Sequence, residues 1–561
     1  MQDKKWMVAE KIPAEIEKSL VELPPILRQL VFNRGIRDGD AARRYLSPTE
    51  DEIHDPFRLL QMDLAVRRIL EAVERGEKIA IYGDYDVDGV TAAALLVQVL
   101  RRMGAEVEHY IPDRHSEGYG INCEALSKLK NEGYSLVVSV DCGVRSLQEA
   151  DFAQQIGLDL IITDHHEPGE HIPEAVAVIC PKQPGDEYPF KELSGVGIAF
   201  KVAQGLLERK PVTGTNAVEW LDLVAVGTVA DVVPLIGENR AMVRFGLNML
   251  TRRQRQGLRS LMGAAGIDEG KKINAYHIGY LIGPRLNASG RMETAEASYR
   301  ILMTEDVQEA GQLAQILDDQ NRQRQDITRD IQKAAEAMVS GEASLVFAVH
   351  PDFKLGVVGL AASRLVETFY RPAIVGIDEG ETTRASCRSI PEFHITEALD
   401  EVADLLERHG GHAMAAGFTV RNENLELLRT RLGQIADEKL RGLDLRPSLR
   451  ADLELPLSEV RPAILEMQEG IEPTGAGNPS VRFVCRNLKV TQKKKIGKDQ
   501  SHLRLSVTDG RITYEAVAFR QAEWADAMPE RIDILFSFEL NVYNGRSSLQ
   551  LNVADIRPSE G

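Results

Sequence analysis

Apolar residues between Met62 and Arg75 recur at helical spacing, with Leu64, Ile69, Leu70 and Val73 on one stripe and Gly76 as a stop. The pattern then switches. KIAIYGDYDVDG reads as a short buried strand running into an acidic turn, and TAAALLVQVLRRMGA as a helix closed by Gly104. EVEHYIP, SLVVSVDCG and LDLIITDHH are further strands, with SLQEADFAQQIG a helix between the last two. This β-α-β-α rhythm predicts a doubly wound parallel sheet. Such sheets bind ligands beyond the carboxyl ends of their strands, where Asp84, Asp141 and Asp164 fall.

From Asp306 to about Val339 the chain has no proline, and Leu313, Ile316, Leu317, Ile327 and Ile331 recur at near-helical spacing. This predicts one long helix acting as a rigid connector between lobes. An α/β pattern restarts over 341–440, and short strands with turn signals follow from about Leu449, predicting a small barrel or sandwich. The division expected is 1–305 for an N-terminal segment plus the first α/β domain, 306–340 for the connector, 341–445 for the second α/β domain and 446–561 for the β domain.

A chain of 561 residues exceeds one hydrophobic core and implies several domains. No apolar run is long enough for a membrane helix and the N-terminus has no signal core, so a cytoplasmic protein is expected. Five scattered cysteines, with no CxxC pair, argue against a zinc ribbon or a disulfide framework. The net charge of −18 argues against a protein that only clamps a polyanion, yet residues 481–520 hold ten Lys/Arg against three Asp/Glu.

The candidate chemistry is acidic. Asp84, Asp86 and Asp88 in GDYDVDG would repel one another unless cations or partners neutralise them, and Gly83 and Gly89 let the backbone gather them. An acidic loop or a helix N-cap would explain an isolated DxDxD equally well. An EF-hand would not, because its terminal glutamate position is Leu95. Asp164-His165-His166 at a strand end suits divalent metals such as Mn²⁺. Asp231 interrupts the apolar run TVADVVPL and needs a partner if buried.

GDYDVDG, VDCG, TDHH and ADVVPL, in this order and spacing, resemble the four motifs of the DHH phosphoesterase superfamily. IPDRHSEGYG, SGVGIAF, GPRLNASGRM, ASCRS and GGHAMAAGF extend the likeness to its single-stranded-DNA-specific 5′→3′ exonucleases, from about residue 60 to the end. The resemblance implies a DHH domain, a DHHA1-type second lobe and a C-terminal OB-fold. It implies Mn²⁺ or Mg²⁺, one or two ions, held by Asp84, Asp86, Asp88, Asp141, His165 and Asp231. Asp141 would bridge the ions, and His166 would stand apart as a catalytic residue that contacts the scissile phosphate or orients a ligand.

The resemblance further places Arg114, Arg285, Ser386, Arg388 and His412 along the substrate groove or its 5′-phosphate pocket. Arginine suits this task because its fork meets two phosphate oxygens at once. In the OB-fold, Arg482, Arg486, Lys489, Lys493, Lys494 and Lys495 would supply charge, with Tyr514 and Tyr543 as stacking platforms and Phe519 in the core. Cys387 stands where relatives carry a small residue, and inert packing is expected of it. The partners implied are single-stranded DNA, a single-strand-binding protein and a RecQ-type helicase, for a monomer acting in recombination and repair. Three rival readings compete. A DHH oligonucleotidase or cyclic-dinucleotide phosphodiesterase, acting on very short substrates, would not need the basic C-terminus. A non-catalytic scaffold would not keep every acid, and a pure single-strand-binding module would leave the DHH cluster unexplained.

Overall fold

The computed structural model describes residues 3–114, 116–118, 120–339, 343–543 and 546–560, with the side chains of 542, 543 and 546 left aside. Five parallel strands form the first sheet, in the order Val107–Tyr110, Lys78–Gly83, Tyr134–Val140, Asp159–Thr163, Ala177–Ile179. Their side chains alternate between two cores. Ile79, Ile81, Leu136, Val138 and Ile161 face helices Met62–Arg75, Val87–Arg102 and Gly195–Arg209, whereas Ala80, Tyr82, Val137 and Ile162 face Cys123–Asn131 and Leu147–Gln155. Burial on both faces explains why these strands read as continuous apolar runs. The order reverses between Lys78–Gly83 and Tyr134–Val140, and a switch point of this kind opens a crevice at the strand ends.

The connector is one helix, Val307–Met338, capped by Asp306, whose carboxylate accepts from the Glu309 amide. At 1.5 Å per residue its 32 residues span roughly 48 Å. Leu313, Ala314 and Leu317 insert into the first core, and Ile331 and Ala335 into the second lobe, so one rigid rod fixes both. The second lobe carries a five-stranded sheet ordered Leu406–His412, Ala415–Arg421, Thr382–Arg388, Ala373–Asp378, Val346–Val349.

In the C-terminal region strand Phe483–Ile496 pairs with His502–Thr508 on one side and Arg531–Tyr543 on the other, which closes a five-stranded barrel. The N-terminal helices do not pack on the first sheet. Leu20, Leu30, Val31 and Ala42 share the barrel's core with Phe483, Phe536 and Ile534, and Lys5–Val8 pairs in parallel with Ser448–Ala451. Residues 3–46 thus pack with the barrel although they stand at the opposite end of the chain. An amphipathic stripe shows which face a helix buries and leaves the partner open.

Candidate metal centre

The acids gather at the switch point. Strand Lys78–Gly83 delivers Asp84, and Asp86 caps helix Val87–Arg102, its carboxylate accepting from the amides of Asp88 and Gly89 at 2.9 and 3.1 Å. Gly89 is required there, since a Cβ would stand 2.5 Å from the Asp84 carbonyl oxygen. The Asp88 carboxylate accepts from Gly195 and Val196 at 2.6 and 2.9 Å, the first amides of helix Gly195–Arg209. A helix N-terminus favours such a charge. Asp141 follows strand Tyr134–Val140 with φ of 63°, a left-handed backbone that non-glycine residues seldom adopt.

His165 Nε2 lies 3.1 Å from Asp141 Oδ1, 3.5 Å from Asp231 Oδ2 and 4.0 Å from Asp88 Oδ2. Donor atoms of Asp84, Asp86 and Asp141, of Asp88, His165 and Asp231, and of Asp141, His165 and His166 each converge within 4.8 Å. Asp141 and His165 therefore stand where these groups overlap. Asp84 Oδ1, Asp141 Oδ1 and His165 Nε2 are buried and make no hydrogen bond among the described residues. Orphaned buried polar atoms of this kind call for a cation, and carboxylate oxygens with one imidazole nitrogen suit Mn²⁺ and Mg²⁺.

Asp164 differs from its neighbours. Its Oδ1 accepts from the amides of His165 and His166 at 2.8 and 3.1 Å and from His166 Nδ1 at 2.7 Å, while Oδ2 accepts from Val144 at 2.9 Å. It is satisfied internally and sets the His166 ring, with Nδ1 as the donor.

Charge follows this geometry. Burial, then the charge of Asp86, pushes Asp88 up to about 7. Burial, then Asp88, pushes Asp231 up to about 9, and burial with the neighbouring acids carries Asp84 and Asp141 well above the carboxylate range. Burial, then His166, presses His165 down to about 3, which keeps it neutral and able to ligate. Burial opposes protonation of His166 as well, but the Asp164 hydrogen bond and charge outweigh it and raise this group.

A stability test follows. These carboxyls are raised in the fold above their unfolded values, so without metal their contribution is present at acidic pH and lost as pH climbs through about 7 to 9. A divalent cation takes the place of those protons. The rise in melting temperature on adding Mn²⁺ should therefore be larger at pH 8.5 than at pH 5.5, and equal rises at both would contradict the assignment.

Beyond the acids lies a group of arginines. Arg114 stands over the Tyr85 ring at 5.0 Å. Burial, then the like charges of Arg114 and Arg324, presses Arg291 down to about 10, with Asp86 and Tyr85 opposing. Arg114, Arg291, Arg324 and Arg388 have no carboxylate within 4.0 Å among the described residues. A cleft of about 360 Å³ joins Arg114 to the second lobe through Gly356, Ser386, Arg408 and Phe418. Arg388 Nη2 and Ser386 Oγ both face Gly359, where a Cβ would lie 3.0 and 3.1 Å from them.

Arg285 is placed differently. Its guanidinium donates to Asp318 at 2.9 Å and to the Leu281 carbonyl at 2.7 Å, tying helix Gly283–Met292 to the connector. Arg291, six residues on in the same GPRLNASGRM segment, is the one that senses Asp86, and nothing in the sequence distinguishes it from Arg285. His412 is exposed at the end of its strand, and Cys387 is buried. On the barrel, Arg486 pairs with Glu454 and Asp533, Lys489 with Glu530 and Lys495 with Asp526; Lys493 and Lys494 are exposed, and Arg482 is half-buried. Tyr514 donates to the Val460 carbonyl and packs edge-on against Phe538. Phe519, expected in the core, is 51% exposed and meets only the His502 ring among aromatic neighbours described, because it follows strand Thr513–Ala518 where pairing has ended. The Tyr543 side chain lies outside the described residues.

Family models match three stretches: "DHH family, N-terminal domain" over 78–228, "DHHA1 domain" over 342–438 and "RecJ OB domain" over 451–555. The chain is thus a DHH phosphoesterase by fold and site. It is 39% identical to the single-stranded-DNA-specific exonuclease RecJ of Bacillus subtilis, over 99% of this chain and 72% of that one. It is 31% identical to that of Escherichia coli, over 96% of each. The RecJ structure of Thermus thermophilus in complex with Mn²⁺ superposes with a TM-score of 0.85 at 29% identity, covering 99% of this chain and 80% of that one; the Mg²⁺ complex gives 0.80 at 27%. The chain belongs to the RecJ family of single-stranded-DNA-specific exonucleases.

Proposed function

We propose that the enzyme shortens single-stranded DNA from its 5′ end, releasing 5′-mononucleotides, with Mn²⁺ or Mg²⁺ held by Asp84, Asp86, Asp88, Asp141, His165 and Asp231. The observation that carries this reading is the set of buried donor atoms on Asp84, Asp141 and His165 without hydrogen bonds among the described residues, beside arginines that have no carboxylate within 4.0 Å among those residues. Bound cations would neutralise phosphate oxygens and bring a water molecule's pKa toward neutrality. The chain's own groups do the rest. Asp164 holds His166 with its second ring nitrogen turned from the carboxylate, where it can donate to a phosphate oxygen. Arg114 and Arg291 meet the DNA backbone next to the acids, and the connector sets the width of the cleft to the second lobe.

Ser386 lines the far wall of that cleft, and the Arg388 guanidinium lies next to it over Gly359; together they fit a terminal phosphate. Burial lowers the Arg388 pKa, as expected of a guanidinium that gains from an anion. Arg388→Ala should cut the preference for 5′-phosphorylated over 5′-hydroxyl strands by roughly 10-fold or more, the value of one charge-assisted contact. Equal losses on both ends, compared as kcat/KM, would count against the pocket.

We assign catalysis to the lobe ending at residue 305, positioning to the connector 306–340, end recognition to 341–445 and strand binding to 446–561, where Arg482, Lys493 and Lys494 supply charge. His412 and Arg285 keep only supporting roles in this scheme. Action as a cytoplasmic monomer in recombination and repair, beside a single-strand-binding protein and a RecQ-type helicase, is supported by the family resemblance. No helix among the described residues is long and apolar enough to cross a membrane.

A further inference from the structure

The loop that follows Asp231 holds an unusual backbone. Val232 is β-branched, sits at φ of 66° and is 68% exposed, so its own side chain does nothing to hold it there. Such a conformation persists where the surroundings over-determine it. Those surroundings come from the far end of the chain. Leu235 is 2% exposed, and its amide donates to the Ala476 carbonyl at 2.8 Å. Gly475 and Gly477 lie so close over the loop that a Cβ would stand 2.8 Å from Leu235 Cδ1 and 3.1 Å from Pro234 Cβ, respectively. Gly477 also has φ of 69°, which fits glycine.

The helix that continues this loop, Gly237–Arg252, is pinned by the same segment. Arg240 is 2% exposed; it donates to the carbonyls of Gly470 and Glu472 at 2.9 and 2.8 Å and to that of Tyr45, and its guanidinium covers the Tyr45 ring at 3.9 Å. Gly470 and Glu472 close helix Ala463–Ile471, where a cation also meets the helix dipole. Asn478 knots the segment, donating to Ile471 and Pro473 carbonyls and accepting from Arg34 and Tyr45. On its other side the Asp231 loop is tied through Asn239 to the Pro234 and Glu192 carbonyls, two residues before Ser194, which caps the helix whose first amides hold Asp88.

We infer that the segment 470–478 is a positioning strap for the metal centre: seated by the barrel and the N-terminal helices, it fixes the loop that presents Asp231 to Asp88 and His165. The metal affinity of the catalytic lobe then depends on the C-terminal module. This rests on the reading of Asp231 as a ligand, and the experiment separates the two.

The test uses the full-length chain. Gly477→Val places a β-branched residue at positive φ against Pro234, and Arg240→Lys keeps the charge but loses the fork that reaches several carbonyls at once; the second variant serves if the first does not fold. Mn²⁺ affinity is measured by calorimetry without DNA, together with the melting temperature in chelator. The expected result is a dissociation constant raised 10- to 100-fold, as for groups that orient metal ligands, with kcat recovered at saturating Mn²⁺. Unchanged metal affinity in both variants, or a fall in chelator melting temperature without a change in affinity, would overturn the strap. Asp231→Ala in the same titration is the control: if it binds Mn²⁺ as the parent does, the ligand assignment fails instead.

Discussion

Asp141→Asn should lower cleavage of single-stranded DNA by roughly 10³-fold or more, about 4 kcal/mol of barrier, while raising the melting temperature in chelator at pH 8. The two effects have one origin. Asp141 is buried, stands at φ of 63°, feels the like charges of Asp88, Asp86, Asp84 and Asp231, and has an oxygen without a hydrogen bond among the described residues. Every one of these features costs stability in the absence of metal, and each serves to hold a cation. Asparagine keeps the size and tolerates the left-handed backbone, so it removes charge with little change in shape. Activity and chelator melting temperature, measured on the same preparation, check both halves. A variant that loses activity and also stability would point to a structural aspartate.

Arg291→Met and Arg285→Met should fail in opposite ways, although the two residues share one helix. Arg291 sits among Arg114 and Arg324 with no carboxylate within 4.0 Å among the described residues and only the more distant charge of Asp86 to offset them, so its removal relieves like charge and leaves the fold intact. It should weaken kcat/KM on single strands by roughly 10- to 100-fold, the loss of one charge-assisted phosphate contact. Arg285 clasps Asp318, and its removal leaves that buried carboxylate with Arg322 alone. The expected cost is about 2–3 kcal/mol of stability, with KM nearly unchanged. Denaturant melts and steady-state kinetics on both variants separate the roles, and a KM effect confined to Arg285→Met would reverse them.

The contrast marks where the sequence stops being informative. Asp84 and Asp141 can be placed at strand ends because buried parallel strands read as apolar runs and the acids break them. Asp164 looks the same in the sequence, yet it is saturated by three backbone amides and a ring nitrogen, one of those amides brought by Val144 from a neighbouring loop. Only the backbone path shows that its oxygens are taken up by these hydrogen bonds and that it holds the His166 ring. Arg285 and Arg291 sit six residues apart in one motif, and only the crossing of the connector, with Asp318 on its inner face, shows that Arg285 clasps it while Arg291 has no carboxylate within 4.0 Å among the described residues. The N-terminal helices show an apolar stripe without a hint that it meets a barrel some 400 residues away. Phe519 is expected inside because aromatic residues in barrels usually are, and one position past a strand end is enough to leave it outside.

The fate of a labelled end tests the central claim most directly. With Mn²⁺ present, a single strand labelled at its 5′ end should release the label at once as a mononucleotide, while a 3′-labelled strand shortens gradually and keeps its label to the end. Chelator should stop both. Early loss of the 3′ label, or cleavage that continues in chelator, would contradict a metal-dependent enzyme working from the 5′ end.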